Sequence, residues 1–154
     1  MTIIRSMTLS DSVAVYALMN QNLDGSFSLD VIEYFIMMWP EGQLVATDMF
    51  GNIIGAICGS PIDKRRTSIT LFAVDAGYRN NGIGTSLLDR FRTCCFMQGY
   101  SEIQLELRTT NEGAMRLYKR RGFNVIETVP SLYGPGQDGY RMLLNLSEIK
   151  GASS

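Results

Sequence analysis

The chain has 154 residues, 45% of them apolar and 19% charged, which is the length and balance of one soluble globular domain. Its 14 basic and 15 acidic residues leave a net charge of −1, which argues against a general nucleic-acid-binding protein. Histidine is absent, so Ser-His and Cys-His catalytic pairs and His-ligated zinc are excluded. Any general base must be a carboxylate, a tyrosine, a lysine or a chain terminus.

The first 40 residues predict one strand and two helices. The strand covers residues 2–5, and the first helix begins at Thr8 and Asp11, which have the spacing of a capping box. Ser28 is the predicted N-cap of the second helix, which ends at Pro40. The side chains expected on the buried stripe of the first helix are Val13, Tyr16, Ala17 and Met19. We expect the adjacent Met37 and Met38 to fill core space.

The middle of the chain predicts three strands and a third helix. The segments GQLVATDM and IIGAICGS flank a short FGN turn and form a hairpin, and TSITLFAV is the next strand. A helix is predicted over 83–98, and Gly99 ends it as a C′ glycine.

The last third predicts three more strands and one helix. EIQLELR alternates, with Gln104, Glu106 and Arg108 on its polar face. Asn111 caps a helix that Gly122 ends; the strands FNVIETV and YRMLLNL follow, separated by a Gly- and Pro-rich loop. The order β-α-α-β-β-β-α-β-α-β-β is that of a mixed α/β domain over residues 1–148, with a frayed tail over 149–154.

The segment YRNNGIGTSLL predicts an anion site. Arg79, Gly82 and Gly84 lie in a turn that opens directly into a helix, where unpaired N–H groups point the same way. Glycine allows a close approach of the backbone, and Thr85 and Ser86 add hydroxyl groups. The alternative is a turn that only caps a structural helix.

Two segments resemble the GNAT superfamily of acyl-CoA-dependent N-acyltransferases. VDAGYRNNGIGTSLL resembles the R/Q-x-x-G-x-G/A motif of that family, and LELRTTNEGAMRLYKRRGF resembles its following strand and Asn-capped helix, with a Tyr before Gly-Phe. Among GNAT enzymes, the chain is most similar to protein Nα-terminal acetyltransferases of the archaeal and ribosomal-protein type. The family often has proline at Ala76 and glycine at Asn80, two departures at the edges of the anion turn.

The resemblance implies an acetyl-CoA-dependent enzyme with an α/β (α+β) GNAT fold. The implied sheet is mixed, mostly antiparallel and has about seven strands, with about four helices on its faces. The residues implied in acetyl-CoA binding are Phe72, Ala73, Val74, Arg79, Asn80, Asn81, Gly82, Ile83, Gly84, Thr85, Asn111 and Tyr118.

The resemblance also implies two catalytic residues. Glu106 matches the glutamate that draws the proton from the amine through water, and Tyr118 matches the general acid for the CoA sulfur. A phenol with a pKa near 10 stays protonated at neutral pH and can donate to a thiolate of pKa ~8.5. The alternatives are a strand carboxylate paired with Arg108 and a tyrosine packed on the core. The implied oxyanion donor is a backbone N–H near Val74.

The amine acceptor is the least determined part. The α-amine of a protein or peptide is the leading prediction, since it loses its proton more easily than a lysine. Residues implied in acceptor binding are Leu23, Phe27, Tyr133 and Tyr140. A small-molecule amine (a polyamine, an amino acid or an aminoglycoside) and a non-catalytic acyl-CoA-binding module remain alternatives.

The expected setting is the cytoplasm. Three cysteines, two of them adjacent, are a poor disulfide framework, and the N-terminal segment lacks the pattern of a secretory signal. No apolar stretch reaches membrane length. We expect a monomer or homodimer, with no metal, no membrane partner and no nucleic-acid partner.

Overall fold

The structure, a computed structural model, describes residues 2–24 and 27–146. Within them, seven strands and four α-helices follow one another in the order that the sequence predicts. The strands are β1 (Ile3–Ser6), β2 (Leu44–Thr47), β3 (Ile53–Pro61), β4 (Arg66–Val74), β5 (Glu102–Arg108), β6 (Asn124–Val129) and β7 (Gly139–Asn145). The helices are α1 (Ser12–Asn22), α2 (Leu29–Met38), α3 (Ile83–Met97) and α4 (Glu112–Arg120). The predicted tail over 149–154 lies outside the described residues.

The strands form one mixed sheet in the order β1-β2-β3-β4-β5-β7-β6. β1 with β2, β2 with β3, β5 with β7 and β6 with β7 are antiparallel pairs, whereas β4 and β5 are parallel. The predicted fold class, a mixed and mostly antiparallel sheet of about seven strands with four helices, is confirmed.

The chain divides into two compact units, and the division passes through β4. The first unit contains Met1–Pro61 and Thr70–Cys94, and the second contains Ile62–Ile69 and Cys95–Ser154. Both units contribute strands to the sheet, and a single domain over 1–148 stays a prediction.

The core of the first unit lies between α1, α2 and the central strands. Its buried side chains include Val15, Met19, Ile32, Phe35 and Ala56. Trp39 is buried edge-on against Phe91, with ring centroids 5.9 Å apart. Gly42 permits this position, since a Cβ at residue 42 would lie 1.9 Å from the Trp39 ring.

Two burial predictions in the first unit are wrong. Val15, Leu18 and Met19 form the buried stripe of α1, while Val13 is 66% exposed and Ala17 is also exposed. Apolar residues occur all around this helix, so its own pattern did not identify the inward face. Met37 and Met38 are 70% and 66% exposed rather than core residues.

The second unit is built around β5 and β7, which pair along their whole length. Ile103, Leu105 and Leu107 are buried on one face of β5, and Met142 and Leu144 are buried directly opposite two of them on β7. The predicted polar face of β5 is therefore the other face, which carries Gln104, Glu106 and Arg108.

The predicted helix ends are confirmed at α3 and α4. Gly99 has a φ of +89° two residues after α3, and Gly122 has a φ of +95° two residues after α4. Asn111 caps α4, because its side chain accepts a hydrogen bond from the Ala114 N–H at 3.1 Å.

Candidate active site

The turn between β4 and α3 is held in place by side chains of the first unit. Asp75 accepts a 2.9 Å hydrogen bond from the Gly77 N–H and starts a short 3₁₀ segment, Ala76–Tyr78. Arg79 donates to the Val74 carbonyl at 3.2 Å and to Asn22 Oδ1 at 2.6 Å. The guanidinium thus ties the turn to the end of β4 and to α1.

The next seven residues leave their backbone donors unused. In the described part of the chain, no acceptor meets the N–H groups from Arg79 to Thr85. The first bond of the α3 ladder runs from the Ser86 N–H to the Gly82 carbonyl at 3.0 Å. Such a run of unpaired amides at the N-terminus of a 15-residue helix attracts anions.

The shape of this turn depends on two residues with left-handed backbone. Asn80 has a φ of +66° and Gly82 a φ of +79°. A Cβ at Gly82 would have no atom within 4 Å, whereas a Cβ at Gly84 would lie 3.6 Å from Phe72 and Val74. Glycine at residue 82 therefore allows the left-handed backbone conformation, and Gly84 lies against the last residues of β4.

These observations fit the phosphates of acetyl-CoA, which need several converging donors. The amides from Arg79 to Thr85 could hold its pyrophosphate. β4 pairs with β5 only over Arg66–Ser68. Phe72, Ala73 and Val74 therefore lie past the part of β4 that pairs with β5. This end of β4 is the predicted contact for the pantetheine arm, and that role stays a prediction.

In the second unit, Glu106 is held by one oxygen. Its Oε2 accepts from Gln104 Nε2 at 2.9 Å and from Arg141 Nε at 3.3 Å. Among the described residues, no donor reaches Oε1. The Glu106 carboxylate therefore forms its ion pair with Arg141 of β7. From the sequence alone, Arg108 was the possible partner.

Tyr118 and Tyr133 belong to the same electrostatic environment as Glu106. Burial raises the pKa of the Tyr118 phenol, and the neighbouring Tyr133 adds to that effect. Partial burial and the negative charge of Glu106 raise the pKa of Tyr133, while Arg108 opposes the increase. Tyr118 also lies 5.7 Å from Phe123 between ring centroids. A phenol in this environment stays protonated at neutral pH, as a general acid requires.

The loop that carries Tyr133 is ordered by its own contacts. The Tyr133 N–H donates to the Gln137 carbonyl at 3.0 Å, and Arg108 lies over the Tyr133 ring at 4.6 Å while bonding to the Gln137 side chain. Gly139 allows this packing, because a Cβ there would lie 2.6 Å from Leu132. Tyr133 is presented on a shaped loop and remains partly exposed.

The other predicted acceptor residues lie in different surroundings. Tyr140 is opposite Leu107 in the register, so it lies on the apolar face of the sheet, away from Glu106. Leu23 and Phe27 are partly buried against the core of the first unit, where Phe27 contacts Tyr16 edge-on at 5.9 Å. Their roles in acceptor binding stay predictions, as does the role of Asn111 beside the cofactor.

The remaining observations concern the thiols, possible metal ligands and membrane spans. Cys58 and Cys95 are buried, and burial raises the pKa of the Cys58 thiol to about 12. Over residues 2–24 and 27–146, no group of three His, Cys, Asp or Glu side chains could hold a metal ion. None of the helices in these ranges has the length and apolar character needed to cross a membrane.

Sequence reasoning assigned no role to four residues of the site. Arg141, Gln104 and Glu127 surround or extend the Glu106 contact, and Asn22 anchors Arg79. Strand alternation places Gln104 on the face of Glu106, but the pairing of β5 with β7 was needed to find Arg141.

Comparison with known proteins agrees with this geometry. The sequence model of the Acetyltransferase (GNAT) family matches residues 13–123. The chain is 32% identical over 130 residues to N-alpha-acetyltransferase 30 of Schizosaccharomyces pombe, covering 82% of this chain and 87% of that protein. Ard1 from Thermoplasma volcanium is 32% identical, with a TM-score of 0.89 over 94% of this chain and 97% of that one. A NatC complex bound to Gag peptide and CoA contains a chain that is 25% identical, with a TM-score of 0.87 over 94% and 98%.

These likenesses confirm the predicted superfamily, the predicted fold, and acetyl-CoA as the acetyl donor. The chain belongs to the Acetyltransferase (GNAT) family and is an acetyl-CoA-dependent N-acetyltransferase.

Proposed function

We propose that this enzyme acetylates the α-amine at the N-terminus of a protein or peptide. The observation that carries the proposal is the state of Glu106, a carboxylate oriented through Oε2 with Oε1 open to a proton. With no histidine in the chain, this carboxylate is the base that the site offers.

The energetics of deprotonation favour an α-amine. An α-amine with a pKa near 7.8 is roughly 10–15% neutral at pH 7, whereas a lysine amine near 10.4 is about 0.04% neutral. Deprotonation therefore costs about 1 kcal/mol for the first and nearly 5 kcal/mol for the second. A single carboxylate acting through water is suited to the smaller cost.

The relatives support the same acceptor class. The Schizosaccharomyces pombe protein is named for Nα-acetylation, and the NatC structure holds a peptide together with CoA. Some relatives are described as complexes; for this chain we infer a monomer or homodimer in the cytoplasm.

Each residue has a defined part in the reaction. Acetyl-CoA supplies a thioester whose acetyl carbon is attacked by the amine. Glu106 Oε1 takes one proton from the amine through water as the N–C bond forms, and Tyr118 gives its phenolic proton to the departing thiolate as the C–S bond breaks. Proton exchange with solvent then restores both groups. The amides from Arg79 to Thr85 hold the phosphates, and an N–H near Val74 meets the developing oxyanion.

A thiol-release assay tests the acceptor. The panel contains short peptides with a free α-amine, the same peptides with that amine blocked but a lysine present, and small amines such as spermidine and amino acids. We expect turnover only with the free α-amine. Turnover confined to small amines would transfer the proposal to a small-molecule acceptor. CoA binding without turnover on any member would favour a non-catalytic module.

A further inference from the structure

The polar face of the second unit carries a hydrogen-bonded row across four strands. Arg66 of β4 bonds to Glu102 at 3.3 Å and to Gln104 Oε1 at 3.0 Å. Gln104 bonds to Glu106, Glu106 to Arg141, and Arg141 to Glu127 of β6. We call these residues the polar row: Glu102, Arg66, Gln104, Glu106, Arg141 and Glu127. The two ends of the row are ion pairs, and Glu106 lies inside it.

The strand register brings Arg141 between two carboxylates. Glu106 is its direct partner on β5, and Glu127 is its direct partner on β6. Directly opposed residues share a face of the sheet, so both carboxylates meet the same guanidinium.

A bulge in β6 is what places Glu127 there. The register shifts between Val125, which pairs with Met142, and Glu127, which pairs with Arg141. If β6 kept a regular register past Val125, Ile126 would oppose Arg141 and Glu127 would point to the other face. The β6 strand is therefore shaped to supply a second acidic partner to Arg141.

The other charged and titratable groups near Glu106 contact other residues or are neutral at pH 7. Arg108 lies over the Tyr133 ring and bonds to Gln137. Tyr133 and Tyr118 are neutral phenols at pH 7, because the pKa of each is raised. Arg66 contacts Glu102 and Gln104. The cation that bonds to Glu106 itself is Arg141, with the side chains of both residues 28% exposed.

We propose that Arg141 is a positioning residue for acetyl transfer. With Gln104, it fixes Oε2 of Glu106 so that Oε1 faces the proton to be taken, and Glu127 bonds to the same guanidinium from β6. This inference rests on the proposed role of Glu106 in the reaction.

The test compares three variants in the full chain. Arg141→Gln removes the charged donor that holds Oε2 of Glu106, so kcat is expected to fall by about tenfold. Glu127→Gln leaves that donor in place and removes only the ion pair on β6, so a smaller fall of about twofold is expected. Arg141→Lys keeps a cationic donor and is expected to recover most of the lost kcat. KM for acetyl-CoA is expected to stay the same in all three.

A second readout does not depend on turnover. The 13C signal of the Glu106 side-chain carboxyl, recorded by NMR at neutral pH, is expected to move in Arg141→Gln and to return towards its wild-type position in Arg141→Lys, because it reports the hydrogen bond to Oε2. This separates the two proposals: a wild-type enzyme that fails on every peptide while this signal moves contradicts the acceptor and supports the role of Arg141. An unchanged 13C signal in Arg141→Gln would overturn the inference about Arg141.

Discussion

The turn before α3 and the polar row around Glu106 differ in whether their polar groups have partners within the protein. From Arg79 to Thr85, backbone donors have no acceptor in the described residues. Along the polar row, each charged side chain meets an oppositely charged partner, and Arg141 meets two. The first region is a set of donors that no described acceptor meets, and the second is a set of charges paired with one another.

The difference teaches how each region would contribute to acetyl transfer. Exposed amides are solvated in the free protein, so a diphosphate replaces water with little rearrangement of the chain. A general base must be held in a fixed orientation, and hydrogen bonds to a single oxygen supply that orientation. Changes in the turn should therefore alter acetyl-CoA affinity, and changes in the polar row should alter kcat.

The largest effect is expected from Glu106→Gln, which keeps the size of the side chain and removes its proton-accepting capacity. Loss of a general base lowers kcat by about 100-fold or more. Acetyl-CoA affinity, measured by calorimetry, is expected to be unchanged. Glu41→Gln, at an exposed position of the 3₁₀ segment Pro40–Gly42, is the matched control. A kcat within threefold of wild type would remove Glu106 from the base role.

The next effect comes from Gly82→Ala, compared with Gly51→Ala. Both glycines have positive φ, +79° and +84°, and a Cβ at either would meet no atom within 4 Å. Each variant carries a left-handed strain of about 1–2 kcal/mol. Thermal unfolding should show similar losses for both variants, while calorimetry should show an acetyl-CoA affinity at least about tenfold weaker for Gly82→Ala alone. Equal affinities in the two variants would place the phosphates elsewhere.

A smaller effect, confined to stability, is expected at the entrance to α1. Asp11 accepts hydrogen bonds from Arg5 at 2.8 Å and from the Thr8 N–H at 2.8 Å, and Arg5 is the main reason that the pKa of the Asp11 carboxyl is lowered to about 2. A lowered pKa contributes stability above the ordinary pKa near 4, and this is lost as the pH falls from about 4 to 2.

Asp11→Asn should therefore lower the free energy of unfolding by about 1–2 kcal/mol at pH 7. The deficit should shrink below pH 4, and kcat should not change. Urea unfolding across this pH range measures it, with the exposed Asp30→Asn as control. A deficit independent of pH would mean that the charge of Asp11 is not the cause.

The smallest effect is expected at the cysteine thiols, which we expect acetyl-CoA to leave unmodified. Since burial raises the pKa of Cys58 to about 12 and also raises the pKa of Cys94, neither supplies a thiolate at neutral pH. Mass spectrometry of the enzyme with acetyl-CoA and no amine should detect no acetylated cysteine. A stoichiometric adduct that disappears when an amine is added would establish a covalent route instead.

Local signals in the sequence predicted local structure well. The Asn111 cap, the Gly99 and Gly122 ends and the alternation of β5 depend on neighbours within a few residues, and the structure has all of them. The unpaired turn followed from the same kind of signal. On the predicted stripe of α1, Met19 is buried and Tyr16 packs against the core, but Val13 and Ala17 are exposed, because apolar residues occur on every side of that helix.

Local sequence patterns could not predict contacts between residues that are distant in sequence. The bond from Arg79 to Asn22 joins residues 57 apart, and the pair of Glu106 with Arg141 depends on the register of β5 and β7. The bulge that brings Glu127 to Arg141 is a single extra residue in β6, which no local pattern marks. Only the paired sheet reveals these contacts.

The most direct test of the central claim is an amide-resolved NMR titration of the full chain with CoA. The account predicts that the largest 1H and 15N shifts fall on the backbone N–H groups from Arg79 to Thr85, as phosphate oxygens accept from them. Largest shifts in another segment, with these seven signals unmoved at saturation, would contradict the account.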